Sequence, residues 1–182
     1  MIRLQSFGKT NNIYAKLEYY NPFGSIKDRA ALKIIEDAEN RRYIFEGSTI
    51  LEATSGNMGI ALAAICKIKG YNCKIIMPDN MSDQRKALIK NYGAELILTP
   101  SNLGMVASIE KAQNLSCSSD RIYYTDQFNN YSSVKAHELF TAPEIEKKMN
   151  TSIDIIIGGI GTGATLRGIY EYYKKINKKV EI

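Results

Sequence analysis

The sequence predicts an α/β fold of three layers, a parallel sheet with helices on both faces. Three observations predict it. Strand-like and helix-like segments alternate along the chain. Some strand segments are short, continuous and apolar, as strands buried on both faces must be. Glycines at 70 and 93 close helical segments just before the next strand begins.

The elements follow in order. Residues 13–18 alternate as a strand does. Residues 26–40 form a helix with Ala30, Ile34, Ile35 and Ala38 on one side, and Ser25 stands where a cap is needed. Residues 48–53 make the next strand, 57–69 an apolar helix, and 73–77 a strand closed by Pro78. A helix over 82–92, a strand over 95–98, a helix over 103–115 and a short strand over 121–124 follow. Residues 132–149 are helical with an interruption before Pro143, because the residue preceding proline is pushed away from the helical region. Residues 153–157 read as a buried strand, 165–177 as the final helix and 180–182 as the opening of another strand.

Composition bounds the function. The chain has 182 residues, a net charge of +5 and 45% hydrophobic residues, enough for a substantial core. The lysines are spread over helices; their one cluster, Lys174, Lys175, Lys178 and Lys179, suits a solvated helix end. Neither nucleic acid nor membrane is an expected partner, since no apolar run reaches the roughly 18 residues of a span. The N-terminus has no signal-peptide core, so a cytoplasmic location is the expectation. One histidine and three scattered cysteines do not make a zinc set, and Cys66 and Cys73 read as small core residues. His137 is expected to pack or cap locally, and Tyr19 and Tyr20 to pack.

Ligands of such folds bind beyond the carboxyl ends of the strands. Three loops stand out there: residues 21–29, 54–59 and 158–165. In the third, glycines at 158, 159, 161 and 163 lead into a helix. They allow close backbone approach, the helix start offers free N–H groups, and Thr162 and Thr165 add hydroxyls, so a phosphate is the natural guest. The same stretch fits a dinucleotide fingerprint, with Glu181 at a distance suited to a ribose, and that reading stays open here. In the first loop Lys27 falls in the first turn of a helix, whose positive end disfavours an ammonium and favours a nucleophilic amine; the plain alternative is a solvated lysine. In the second, Thr54, Ser55 and Asn57 can hold a carboxylate or phenolic oxygen, or simply cap a helix.

Together the loops resemble the cysteine synthase family, the fold-type-II pyridoxal-phosphate enzymes that include O-acetylserine sulfhydrylase and cystathionine β-synthase. Asn21-Pro-Phe-Gly-Ser-Ile-Lys27-Asp-Arg29 matches its N-P-x-x-S-x-K-D-R motif, and Glu52-Ala-Thr54-Ser55-Gly56-Asn57 its E-x-T-S-G-N-T loop. Gln127-Phe128-Asn129-Asn130 matches Q-F-x-N, and Gly161-Thr162-Gly163-Ala164-Thr165 matches G-T-G-G-T. Four motifs in order and register are far more specific than any one.

The resemblance implies a tryptophan-synthase-β-like fold and the cofactor pyridoxal 5'-phosphate. Lys27 would bind the cofactor covalently and later shuttle the substrate α-proton. Asn57 would meet its 3′ oxygen, and Gly161, Thr162, Gly163 and Thr165 its phosphate. Thr54, Ser55, the backbone N–H of Met58 and Gln127 would hold the amino-acid carboxylate. The implied reaction is β-replacement: an activated serine such as O-acetylserine loses its β-substituent, and sulfide adds to give cysteine. A homodimer and a serine acetyltransferase partner are likewise implied. Residues 1–36 would begin the large cofactor domain, 37–130 would form a complete small α/β domain, and 131–182 would resume an incomplete large domain.

The sequence also departs from the pattern. The family has threonine at Met58, a second glycine at Ala164, and Pro-Ala-Asn where Tyr131-Ser132-Ser133 stands. Its G-N-T-P-L opening and roughly its last third have no counterpart, as judged against typical domain lengths. That third carries the serine that meets the cofactor's pyridine nitrogen. A fragment or remnant without turnover is therefore a competing expectation. An unpaired strand edge at 153–157 is expected too.

Overall fold

The computed structural model describes residues 1–5, 12–149 and 151–182. A short antiparallel pair, β1 (Ile2–Arg3) and β2 (Tyr14–Ala15), opens the chain. Helix α1 (Lys27–Asn40) follows, then β3 (Thr49–Ala53), α2 (Asn57–Lys69), β4 (Asn72–Pro78), α3 (Asp83–Asn91), β5 (Glu95–Thr99), α4 (Gly104–Ser116) and β6 (Ile122–Tyr124). The chain then runs through α5 (Ser132–Ala136), a π-helical turn (His137–Thr141), α6 (Ala142–Lys148) and α7 (Ala164–Lys175).

Strands β3 to β6 form one parallel sheet in the order β5-β4-β3-β6. Alternation along each strand builds two cores. Ile50, Cys73, Ile75 and Met77 face α1, α2 and α3 and join Ile34, Ile35, Leu62 and Ile89. Leu51, Ala53 and Ile76 face the other way and meet Ala112, Met105 and Ile109 of α4. These are the three layers that the alternation predicts. Each large apolar side chain so buried stabilises by about 1.5–3 kcal/mol, which makes these two clusters the main driving force here. Helix α2 is apolar nearly all round because it lies between β3–β4 and α1, and Gly70 ends it in the left-handed conformation.

A third cluster, Ala142, Ile145, Ile169 and Tyr173, joins α6 to α7. Helix α7 also crosses close to α5. A Cβ at Gly168 would lie 2.4 Å from the Val134 carbonyl oxygen and 2.7 Å from the His137 Cβ, so only glycine fits. Helix α1 packs on α2 and on α5, and so joins the sheet to these helices.

Several expectations need correction. The strand over 13–18 shrinks to Tyr14–Ala15, and Glu18–Tyr20 turns in a 3₁₀ helix instead. Tyr19 and Tyr20 do not pack in a core; both are exposed, with ring centroids 4.5 Å apart. Ser25 is not the residue flanking α1, yet its Oγ still accepts the Lys27 N–H at 3.2 Å. The helix over 132–149 is not interrupted. The π-helical turn widens the backbone just before Pro143, where an α-helical turn would set the ring against a carbonyl. The largest correction is at residues 153–157, which form no strand. Ile155 makes a single parallel bridge with Glu181, and Ile157 is 92% exposed. An apolar sequence supplies one half of a ladder, and the described residues offer only Glu181 as the other half.

Two outcomes follow. Limited proteolysis is expected to cut within 151–161 before any site within β3–β6; early cleavage inside the sheet would contradict this architecture. Gly168→Ala is expected to destabilise by about 1–3 kcal/mol in urea titration, through overpacking against a backbone that cannot yield. Gly159→Ala, which meets open space, is expected to change little.

Candidate active site

The first loop is built to present Lys27. The Asp28 carboxylate accepts the Phe23 N–H at 2.7 Å and lies 3.4 Å from the Ser25 hydroxyl, so the turn folds back onto the helix start. Asn21 Nδ2 donates to the Ser25 carbonyl at 3.1 Å, and Gly24 takes the left-handed conformation the turn requires. Arg29 faces away from this turn. Its Nε donates to Glu18 at 2.7 Å, and its two terminal nitrogens grip the Glu144 carboxylate at 2.8 and 2.7 Å. That pairing holds Glu144 down at about 2 and ties α1 to α6. Lys27 itself is half-buried. Burial pushes its amine below the ordinary lysine value, and the nearby Glu52 carboxylate partly opposes the push.

Glu52 lies on β3 with no exposure. One carboxylate oxygen, Oε2, accepts the Thr125 hydroxyl and, at 3.2 Å, the Gln127 N–H. The other, Oε1, is buried without a partner. Burial pushes this carboxyl up to about 7. The interaction pins the segment after β6 to the end of β3. Thr54 is buried and its Oγ1 accepts the Gly56 N–H at 3.2 Å. Ser55 is half-buried and Asn57 exposed at the start of α2. The Met58 side chain is buried in the core with Ala31 and Leu62, so only its backbone can serve a ligand.

The third loop runs into α7. Gly163 is left-handed, and Cβ atoms at Gly159 and Gly161 would meet nothing within 4 Å. Thr162 Oγ1 accepts the Ala164 N–H at 3.4 Å. Thr165 Oγ1 lies 3.2 Å from His137 Nε2. Between this loop and the segment after β6 opens a cavity of about 340 Å³, lined by Gln127, Asn130, Ser133, Thr162, Gly163 and Arg167 among others. The Ser133 hydroxyl there is buried without a partner.

The Lys27 charge acts on groups of two other elements. It acts on Glu52, and it helps hold His137 down at about 4, after burial, which is the larger cause. The structure brings Gln127 of the segment after β6 and Thr162 and Gly163 of the third loop to one cavity. His137 packs locally as expected, buried and 2.9 Å from Thr141 Oγ1, but sequence reasoning misses its second partner, Thr165. His137 belongs to the π-helical turn, 28 residues from Thr165, and no local pattern links them. Among the described residues no cluster suited to a metal ion occurs, and no helix is long and apolar enough to cross a membrane.

Comparison with known proteins decides the family. The model of pyridoxal-phosphate-dependent enzymes matches residues 1–182. The chain belongs to this pyridoxal-phosphate-dependent family. It is 45% identical to a cysteine synthase of Staphylococcus aureus over 172 residues, 94% of this chain and 55% of that protein. A hydrogen sulfide-producing enzyme of Fusobacterium nucleatum aligns at 46% identity with a TM-score of 0.86, over 93% of this chain and 57% of that one. A cysteine synthase of Entamoeba histolytica aligns at 36% identity with a TM-score of 0.91, over 96% and 52%. The chain thus spans about half the length of the relatives it matches. The tryptophan-synthase-β-like fold and the cofactor pyridoxal phosphate stand with the family, while the dinucleotide reading of 159–164 gains no support.

The residues fit that cofactor. A half-buried amine, an open glycine loop at a helix start and the buried Ser133 hydroxyl without a partner beside that loop are what a group with an aldehyde and a phosphate would engage.

The Glu52 carboxyl yields a pH prediction. Its folded value, near 7, lies above the ordinary 4.5, so the folded state binds more protons and stability falls as pH rises from about 4.5 to 7. His137 acts in the opposite sense, since its folded value near 4 makes stability rise with pH between about 4 and 6.5. Glu52→Gln keeps the acceptor and removes only the first effect. Relative to the unmodified chain, its stability in urea is expected to rise across pH 4.5–7 by on the order of 3 kcal/mol. A difference that stays flat with pH would overturn this assignment.

Proposed function

We propose that this chain carries the cofactor-anchoring part of an enzyme that replaces the β-substituent of an activated serine with sulfide, giving cysteine. The observation that carries the reading is a half-buried Lys27 at the start of α1, its amine held below the ordinary lysine value by burial. The relatives named cysteine synthase support it. Pyridoxal phosphate, when bound, supplies an electron sink for carbanion chemistry at the amino-acid α-carbon.

The chain's own residues would do the rest. Lys27 Nζ, kept below its ordinary pKa by burial, would attach the cofactor and take or return the α-proton of the substrate. Gly161, Thr162, Gly163 and Thr165 would hold the phosphate at the start of α7, and Asn57 would meet the 3′ oxygen. Thr54, Ser55, the Met58 N–H and Gln127 would orient the substrate carboxylate. With methionine in the core at 58, that set has one hydroxyl fewer than the family's threonine provides. Glu52 would hold Gln127 in place through its N–H. The division into residues 1–36, 37–130 and 131–182 belongs to the same proposal. So do a cytoplasmic location, on the N-terminal sequence, and self-association and a serine acetyltransferase partner, on the resemblance alone.

A second reading draws on Met58, whose side chain in the core leaves the carboxylate set one hydroxyl short: cofactor capture without turnover. One preparation separates the two. Purified with pyridoxal phosphate, the chain is expected to show a visible absorption band that borohydride removes, leaving the cofactor's mass on Lys27. Lys27→Ala is expected to abolish both signals. A band that survives Lys27→Ala, or none in the unmodified chain, would sink the proposal. A labelled Lys27 with no cysteine formed from O-acetylserine and sulfide would select the second reading.

A further inference from the structure

His137 is the only histidine in the chain and is 2% exposed. Both ring nitrogens have hydroxyl neighbours. Nδ1 lies 2.9 Å from Thr141 Oγ1, and Nε2 lies 3.2 Å from Thr165 Oγ1. Three features fix this arrangement. The π-helical turn carries His137 and Thr141 at its two ends, so the Nδ1 contact spans the turn. Gly168 lets α7 approach until a Cβ there would strike His137. Thr141 is itself buried, so water does not compete for its hydroxyl.

The direction of these two bonds matters. A hydroxyl has one proton, and an ionised phosphate oxygen can only accept. If Nε2 were bare, the Thr165 proton would go to it, and the hydroxyl would present a lone pair to an anion in the loop. If Nε2 carries the hydrogen, it donates to Thr165 Oγ1 and leaves the Thr165 proton free. A neutral ring then has a bare Nδ1, and the Thr141 hydroxyl is the donor that satisfies it. Burial, aided by the charges of Lys27 and Arg29, keeps the ring neutral.

We propose that His137 is a positioning residue: Thr141 donates to Nδ1, Nε2–H donates to Thr165 Oγ1, and the Thr165 hydroxyl is thereby turned to donate to a phosphate group. This rests on the reading of residues 161–165 as a phosphate cradle and adds the residue that orients it.

A single histidine makes the test direct. In the ¹⁵N-histidine-labelled chain at neutral pH, Nε2 is expected to show the shift of a protonated ring nitrogen and Nδ1 that of a bare one. The reverse pattern would overturn the proposal with no variant needed. His137→Leu is expected to weaken pyridoxal phosphate binding about tenfold. His137→Gln, which keeps an N–H near the place of Nε2, is expected to recover most of that loss. Equal affinities in all three chains, with Lys27 still labelled by borohydride in the unmodified chain, would overturn the role of His137 while leaving the cofactor reading intact. If the unmodified chain takes up no pyridoxal phosphate, the cradle reading fails and the purpose assigned to His137 fails with it. The nitrogen shifts would still report which tautomer is present.

Discussion

The site depends on one buried carboxylate. Glu52 sits inside the sheet with no exposure, and an ion there is costly unless its surroundings answer it. Thr125 and the Gln127 N–H answer one oxygen, and the Lys27 charge acts across the remaining space. To provide these partners the chain must bring the end of β6 against the end of β3 and seat the start of α1 nearby. The same requirement that keeps Glu52 tolerable thus gathers the loop with Thr54, the segment with Gln127 and the lysine into one place.

Residues that look equivalent within a motif divide into two kinds. In the first loop Lys27 is half-buried with a lowered pKa. Asp28 folds the preceding turn onto the helix, and Arg29 clamps Glu18 and Glu144. In the second loop Thr54 braces the turn through Gly56, while Met58 contributes its side chain to the core. In the third, Gly163 allows the backbone to enter α7, and Thr165 looks back to His137. Contiguous motif residues therefore share a location but not a task. The supporting ones fix loops that would otherwise pay entropy to order around a ligand.

The sheet was largely legible from the residues. Strands β3, β4 and β5 and helices α1 to α4 fall within one or two residues of the expected bounds, because alternation, caps and glycine stops are local signals. Residues 153–157 show the limit. Their isoleucines favour a strand, but a strand is a pairing, and Glu181 alone pairs with them. Helix 132–149 shows another. Pro143 warned of a break, and the backbone absorbed it in a widened turn without stopping.

By itself the sequence determined the three-layer α/β class, the positions of the three loops and, through their motifs, the pyridoxal-phosphate-dependent family. These are properties of residues near one another in the chain, where side-chain period, glycine and proline act directly. Tertiary structure alone decided that Glu52 binds the Gln127 N–H across the sheet, that Met58 is lost to the core, and that His137 reaches Thr165 from a π-helical turn. Those outcomes depend on how closely helices approach, as at Gly168, and on which buried polar atoms find partners. Such relations join residues far apart in sequence, and they exist only once the packing that satisfies them has formed.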